Sequence, residues 1–564
     1  SPRHSSSSSH WPLTTVHSLA RQLEGVPRHL SIHNGGMLIT AAPLVEVVPV
    51  ERATMPNRMV VQWDKDSVED AGLVKLDVLG LCMLGLVDEA ARLVEARTGT
   101  PPPLDRLPLD DPRIYDLLCA GDTIGAFQVE SRAQISMLPR LKPRCFNDIV
   151  VAVSIVRPGP IQGGMVHPYL RRRLGLEPVT YPHPCLESVL KETLGVILFQ
   201  EQVLRVAMVA ADFSGGEADQ LRRAMSRHRS HAEMARLRER FVDGAQANGL
   251  DEGVANTVFD QLAGFASYGF CKSHAAAFAH LAYQSLWLKV YHPVEFTCAL
   301  LNQQPMGFYS PAVVMGDAQR HGVPILHPDV NRSGETCGIE GNAVRLGLRY
   351  LHGFGPAAQQ RLLTARGETP FVSLVDVCRR TRLPRSLVET LIRSGAMDEL
   401  CGGEAGRRGL LWELGALDYR EEALDLDTVV EPAVLPDLTE AEVMGWELEL
   451  LGMAPGDHPM RLYRPQLQAE GVLTCADLAR YRDGEVVRVA GQAVVRQRPP
   501  TAKGHVFLTL EDETGLVNLI LRPDRYERRK ADLDAAMLVV RGRLQRDGKA
   551  CSIVALDIQQ LGSV

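Results

Sequence analysis

Apolar positions recur with two different periods along the chain, and the changes of period divide it. Residues 13–26 carry the spacing of a short amphipathic helix, which the run Pro27 to Gly36 breaks. From Met37 to Val50 polar and apolar residues alternate and β-branched side chains accumulate, which predicts strands; Leu73 to Val78 reads as another short strand, ending near Gly80. The spacing turns helical from Leu84 to Arg97. Between residues 100 and 330 it stays helical, interrupted by loops such as Arg157-Pro158-Gly159-Pro160. Residues 343–400 suggest two short helical pairs, and 401–440 an acidic linker with a helix or two. From Glu485 to Leu561 the pattern returns to short alternating stretches separated by turns. About five strands in roughly 75 residues fit a small β-barrel of the OB type.

A length of 564 residues exceeds what one core holds, so several domains are expected. Hydrophobic residues at 45% and charged residues at 23% are ordinary for a globular chain. No apolar run is long enough to span a bilayer. The first residues, Ser1-Pro2-Arg3-His4 and then a serine run, lack both an initiator Met and a basic-then-apolar leader pattern, so an incomplete chain is expected. A net charge of −7 argues against a small, uniformly basic DNA binder, but it leaves room for a large protein with local basic stripes. The eleven cysteines include no C-x-x-C pair, and Cys82, Cys119 and Cys298 lie among apolar residues. Reduced thiols in a cytoplasmic setting are therefore expected, with no structural zinc.

Five segments carry candidate chemistry, each with a plainer reading beside it. Asp77 stands at the end of an apolar strand, beside Lys75 and before Gly80; it is a candidate magnesium ligand or a strand-end Asp bonding its own turn. Arg222 and Arg223 follow a capping sequence, Ser214 to Glu217, and offer two guanidinium forks to phosphate or make a solvated basic helix. Lys272, Ser273 and His274, after Tyr268-Gly269-Phe270, lie just ahead of a strong helix; they read as a triphosphate cradle, though without P-loop spacing, or as an aromatic loop packed between helices. Gly353 and Gly355 form a Gly-x-Gly hairpin between two helical stretches, suited to DNA phosphate or to a plain turn. Arg498, Lys503 and Phe507 put a basic loop ahead of an aromatic-bearing strand, which suits single-stranded nucleic acid by charge and stacking; many such barrels bind proteins instead. The Asp64-x-Asp66 pair sits beside Trp63, and alternation puts both carboxylates on the polar face of a short strand, so metal binding there is disfavoured.

In this order the segments resemble the bacterial C-family polymerases, the polymerase III alpha subunits. Lys75-Leu76-Asp77-Val78-Leu79-Gly80-Leu81 is similar to the palm strand bearing the third catalytic aspartate. Gly125 to Ser131, Arg157 to Pro160, Leu198-Phe199-Gln200-Glu201-Gln202, Leu221 to Met225, and Tyr268 to His274 resemble the fingers. Val61 to Asp66, Gln304 to Pro311 and Gln497 to Gly515 resemble the error-prone branch in particular.

The resemblance implies a mostly α, multidomain α+β chain. Its parts are the end of a thumb-like helical segment (1–30), the second part of a Pol β-like palm (31–82), helical fingers (83–330), a helix-hairpin-helix region (331–400), a linker with helices (401–484) and an OB-fold barrel (485–564). It implies error-prone, translesion DNA synthesis on primer–template DNA from dNTPs. Asp77 would bind catalytic Mg²⁺ in a two-metal site, and Lys75 would contact the primer end. Arg222, Arg223, Tyr268, Lys272, His274 and, beside Gly35 and Gly36, His33 would hold the nucleotide. Accessory mutagenesis proteins, including a catalytically inactive Y-family relative, would be partners, with indirect contact to the sliding clamp and none to membrane. The family's N-terminal metallophosphoesterase-like domain and its Asp-x-Asp palm segment find no counterpart here, since no Asp precedes Asp64; the chain alone is expected to bind DNA without extending it. The other readings are the accurate replicative subunit and a non-catalytic DNA-binding subunit.

Overall fold

The structure, a computed structural model, describes residues 13–23, 33, 36–78, 80, 82–156, 166–226, 231–266, 270–400, 406–417, 435–499, 502–548 and 550–562. The chain divides into two compact units, Ser1–Cys82 and Met83–Val564.

In the first unit, a helix Leu13–Gln22 precedes two antiparallel ribbons. One pairs Gly36–Leu38 with Lys75–Asp77, setting Gly36 opposite Asp77 and Leu38 opposite Lys75; the other pairs Val50–Arg52 with Met59–Val61. Strand alternation gives the first ribbon two unlike faces. Lys75 and Asp77 share one, and the paired Met37 and Leu76, both exposed, share the other. Two expectations change. The alternating stretch from Met37 to Val50 is strand only at its ends, because Pro43 has no N–H for a ladder and leads into a 3₁₀ turn, Leu44–Glu46. Asp64 is not on a strand: it caps the helix Lys65–Asp70, accepting from Ser67 N–H at 2.8 Å, the local bond that Asp makes in preference to a sheet ladder.

The second unit is mainly helical. The helix Phe146–Ile155 is mostly apolar and is buried from Asp148 to Ile155, Asp148 being paired with Arg173. The twenty-residue helix Lys272–Tyr291 packs on it, with Ala275, Ala279 and Ala282, small residues about one turn apart that let the backbones approach, and the buried Tyr283 in the same core. The helices Gln200–Ala211, Gly215–Ser226, His231–Ala247 and Glu252–Ala266 enclose a separate core around Phe213, Phe241 and Phe259, whose rings stack edge-on or tilted. Cys119 and Cys298 are buried as expected, but Cys82 is exposed, since it opens its helix off the buried stripe of Met83, Leu86, Ala90 and Val94.

A small sheet follows, with Ile325–Leu326 parallel to Ala343–Arg345 and Gly338–Glu340 antiparallel to it. The helices Pro356–Arg366, Leu374–Thr381 and Arg385–Arg393 come next. The stretch 401–484 does more than link: Leu410, Leu414 and Leu451 from its helices, and Met453 just after one, are buried in the same core as Leu362 and Leu391. Last comes a closed five-strand barrel, in the order Gly515–Leu521, Ala550–Gln560, Met537–Asp547, Val486–Gln497, Val506–Asp512. One parallel pair, Asn518 opposite Ser552, closes it.

The barrel is seated on the helices. Val494, Val495 and Leu516 pack against the main core, and the guanidinium of Arg132 lies 4.2 Å from the Phe507 ring centre. Arg320 Nη1 donates to Glu511 Oε1 at 2.9 Å. Burial pushes the Glu511 carboxyl up to about 7, outweighing the pull of Arg320. A carboxyl raised on folding contributes stability that is whole below its unfolded value near 4.5 and is lost as pH rises through 7. Thermal unfolding should therefore show stability falling between pH 5 and 8, and Glu511→Gln, which cannot ionise, should flatten that slope. An unaltered slope in the variant refutes the assignment.

Candidate active site

In the first unit, the ribbon's register gathers the polar residues. Lys75 Nζ donates to Asp77 Oδ1 at 2.5 Å, and His33 Nε2 stands 3.9 Å from the same oxygen. His33 Nδ1 accepts from Gly36 N–H at 2.6 Å, which turns the ring toward the strand end. A Cβ on Gly36 would come within 2.9 Å of that nitrogen, so a side chain there would displace the ring. The Asp77 side chain is 49% exposed, so its carboxylate can take another ligand without unfolding the strand. The ribbon thus brings His33 from the other strand's end to Lys75 and Asp77. Gly35, Tyr268, Gly269 and Arg157 to Pro160 lie outside the described residues.

The second unit holds the expected nucleotide residues. The helix Gly215–Ser226 starts with a reciprocal cap: Ser214 N–H donates to Glu217 Oε2 at 2.8 Å, and Glu217 N–H to Ser214 Oγ at 3.3 Å. Asp219, one turn on, meets Arg222 at 2.8 Å and Arg223 at 2.8 Å. The hydrogen bond from Arg222 is the main reason its carboxyl lies below the usual range. The i, i+3 and i, i+4 spacing that makes these pairs is visible in the sequence, yet Asp219 was not among the candidates.

Lys272, Ser273 and His274 do not precede their helix; they are its first turn. The strand-like pair Phe199–Phe270 and the bond from Gln200 N–H to Phe270 O (3.0 Å) hold the entry. Glu201 then takes the helix start, accepting from Lys272 N–H at 3.0 Å with each oxygen and from the Cys271 thiol at 3.1 Å. Burial raises the Glu201 carboxyl, but these bonds outweigh it and leave it lowered. The helix N-terminus expected to meet phosphate is therefore filled by a carboxylate of the chain. What it presents outward is the Lys272 ammonium, on Glu192 at 2.5 Å, and the exposed His274 ring, tilted 4.1 Å from Phe278. Sequence reasoning missed Glu192 and Glu201 as site residues, although Glu201 lies inside Leu198-Phe199-Gln200-Glu201-Gln202; only the fold brings Glu192 here, 80 positions from Lys272.

Gly353 and Gly355 are exposed on either side of buried Phe354, with open space at each Cβ position. Gly353 has φ 77°, a backbone that favours glycine. The arm before it is a 3₁₀ turn, Leu348–Tyr350, rather than the expected helix, because the strand Ala343–Arg345 runs almost into it. On the barrel, Arg498 lies over the Tyr526 ring at 4.8 Å and Lys503 is exposed. Phe507 is half-buried under Arg132, whose guanidinium burial lowers to about 10.

Among the described residues, one other group could hold a metal by geometry: Asp122, Asp317 and His321, with ligand atoms within 4.8 Å of one another. Buried Lys289 reaches into it, donating to Asp317 at 2.7 Å and to Ile124 O at 3.0 Å, while His321 Nε2 meets Asp122 at 2.6 Å. Burial opposes ionised Asp122, but His321 and Lys289 prevail and hold its carboxyl near 2. The group is an ion-pair network, buried at Lys289 and Asp317 and reaching the surface at His321.

The chain matches three family descriptions: the bacterial DNA polymerase III alpha NTPase domain over residues 4–80, the bacterial DNA polymerase III alpha subunit finger domain over 83–249, and a helix-hairpin-helix motif over 322–409. It is 46% identical to the error-prone DNA polymerase of Anaeromyxobacter dehalogenans strain 2CP-C, over 95% of this chain and 49% of that one. It is also 46% identical to the error-prone DNA polymerase of Corynebacterium glutamicum, over 98% and 52%, and 44% identical to error-prone DNA polymerase 2 of Rhizobium meliloti, over 98% and 52%. The chain thus spans about half the length of the curated relatives it matches.

Proposed function

Because the chain belongs to the bacterial DNA polymerase III alpha-subunit family, on its error-prone branch, we propose that it serves template-directed DNA synthesis across damaged templates, transferring nucleotide from a dNTP to a primer 3′-OH. The observation that carries this reading is the cluster of His33, Lys75 and Asp77 on one polar ribbon face. Phosphoryl transfer asks for positioned charge more than for covalent chemistry. Bound Mg²⁺ ions supply the Lewis acidity that clamps attacking and leaving oxygens. Asp77 fits as one hard oxygen ligand, and one only; a magnesium site needs further oxygens. Lys75 neutralises Asp77 meanwhile and is placed to meet a primer phosphate, and His33 lies at the same strand end.

The other half of the reading is the nucleotide cradle. Arg222 and Arg223 offer planar forks to the triphosphate, with Lys272 and His274 from the start of the helix Lys272–Tyr291; Tyr268 belongs to the same motif. They offset charge that develops on the leaving pyrophosphate. Exposed backbone at Gly353 and Gly355 suits a sequence-neutral grip on duplex phosphates. Five strands joined by four antiparallel pairs and one parallel pair support reading the barrel as an OB fold. Arg498, Lys503 and Phe507 would receive template strand, Phe507 once Arg132 shares or leaves its ring. Primer–template DNA and dNTPs are then the ligands. Accessory mutagenesis proteins, including an inactive Y-family relative, and an indirect link to the sliding clamp complete the proposal, with the cytoplasm as its place. No described helix is long and apolar enough to cross a membrane.

The test is primer extension with Mg²⁺ and four dNTPs on undamaged and abasic templates, using the chain and a version extended to its relatives' length. No extension by the longer protein would refute the reading. In that protein, Arg222→Ala with Arg223→Ala should raise the dNTP KM at least about tenfold and lower kcat, since one charge-assisted hydrogen bond contributes roughly 1.5 kcal/mol. Unchanged kinetics would remove both arginines from the cradle.

A further inference from the structure

The cradle residues are not waiting as open cations. Lys272 is held by Glu192 at 2.5 Å, its ammonium also lying 5.7 Å from the Phe199 ring centre, and Asp219 holds Arg222 and Arg223. Beneath Lys272, Glu201 caps the helix through backbone N–H. One ammonium thus faces two carboxylates of the chain. A triphosphate can use Lys272 only if the ammonium changes partner. Glu201 cannot be that leaving partner, because its bonds are to the backbone and the thiol and hold the helix start itself. Glu192 can: both side chains of its pair are more than a third exposed, and an exposed ion pair is held weakly.

We propose that Glu192 is a resident counter-anion that the nucleotide triphosphate displaces from Lys272, so that Glu192 sets nucleotide affinity without touching the nucleotide. This deepens the nucleotide reading given above and rests on it. In the resting chain the pair keeps Lys272 extended over Phe199 and lowers its attraction for stray anions. In the bound state Lys272 turns to phosphate and Glu192 passes to water.

A double-mutant cycle on the full chain tests it, with calorimetric binding of dGTP in Mg²⁺ and, separately, of inorganic tripolyphosphate. Glu192→Gln should tighten both by roughly two- to fivefold, the range an exposed ion pair supports. Lys272→Ala should weaken both, and in the Lys272→Ala background Glu192→Gln should have no further effect. If Lys272→Ala weakens binding while Glu192→Gln leaves it unchanged or weaker, the exchange is refuted and the cradle stands. If Glu192→Gln tightens binding equally without Lys272, the effect is a general field and the exchange is again refuted. If Lys272→Ala changes nothing, or the unaltered chain binds neither probe, the cradle itself falls and the exchange with it.

Discussion

Asp77→Ala, in a protein extended to its relatives' length, is expected to lower primer extension more than a hundredfold while leaving the fold and DNA binding nearly intact. The size follows from the role. Changes to residues that merely support metal ligands already cost about 10- to 100-fold, and Asp77 is proposed as a ligand itself. The sparing of the fold follows from the geometry. The Asp77 side chain is half exposed, its strand is held to Gly36 through backbone bonds, and its side-chain partners include Lys75 and His33, themselves exposed or half-buried. Extension on a primed template, with DNA affinity measured alongside, separates the cases. Near-normal extension removes Asp77 from the chemistry, whereas parallel loss of extension and DNA affinity makes it structural. Lys75→Ala should fall between, since it removes a phosphate contact and leaves the carboxylate.

Lys289→Met is expected to produce the largest loss of stability of any single change at a described charged residue, about 3–5 kcal/mol, read as a shifted denaturant midpoint. Lys289 is buried and its ammonium is shared by Asp317, Asp122 and the Ile124 carbonyl. Methionine keeps the stem's volume but removes the charge, so Asp317, 12% exposed, loses its nearest cation. Adding Asp317→Leu should restore part of the loss, because an apolar pair of similar volume replaces a buried ion pair at little cost. A midpoint unchanged by Lys289→Met would mean that water reaches the network. The network also bears on metal binding: three groups at ligand distance resemble a site until the lysine among them is counted.

The sequence by itself determined the kinds of element and their order. Period-3.6 apolar spacing marked the helices, the return to period two after Glu485 marked the barrel, and the capping sequence before Arg222 marked where that helix starts. It also determined which residues carry charge in which motif, and so the resemblance. Local signals failed where two short-range preferences competed: Asp64 became a helix cap instead of a strand residue, and Pro43 broke an alternating run.

Only the tertiary structure decided who meets whom. Register brought His33 to Asp77. Packing carried Glu192 to Lys272 across 80 residues, and Arg132 to Phe507 from a helix to a barrel. The physical reason is that hydrophobic burial fixes these long-range contacts. Burial acts on whole faces, is nearly blind to residue identity, and leaves no local pattern naming the charged partners it brings together.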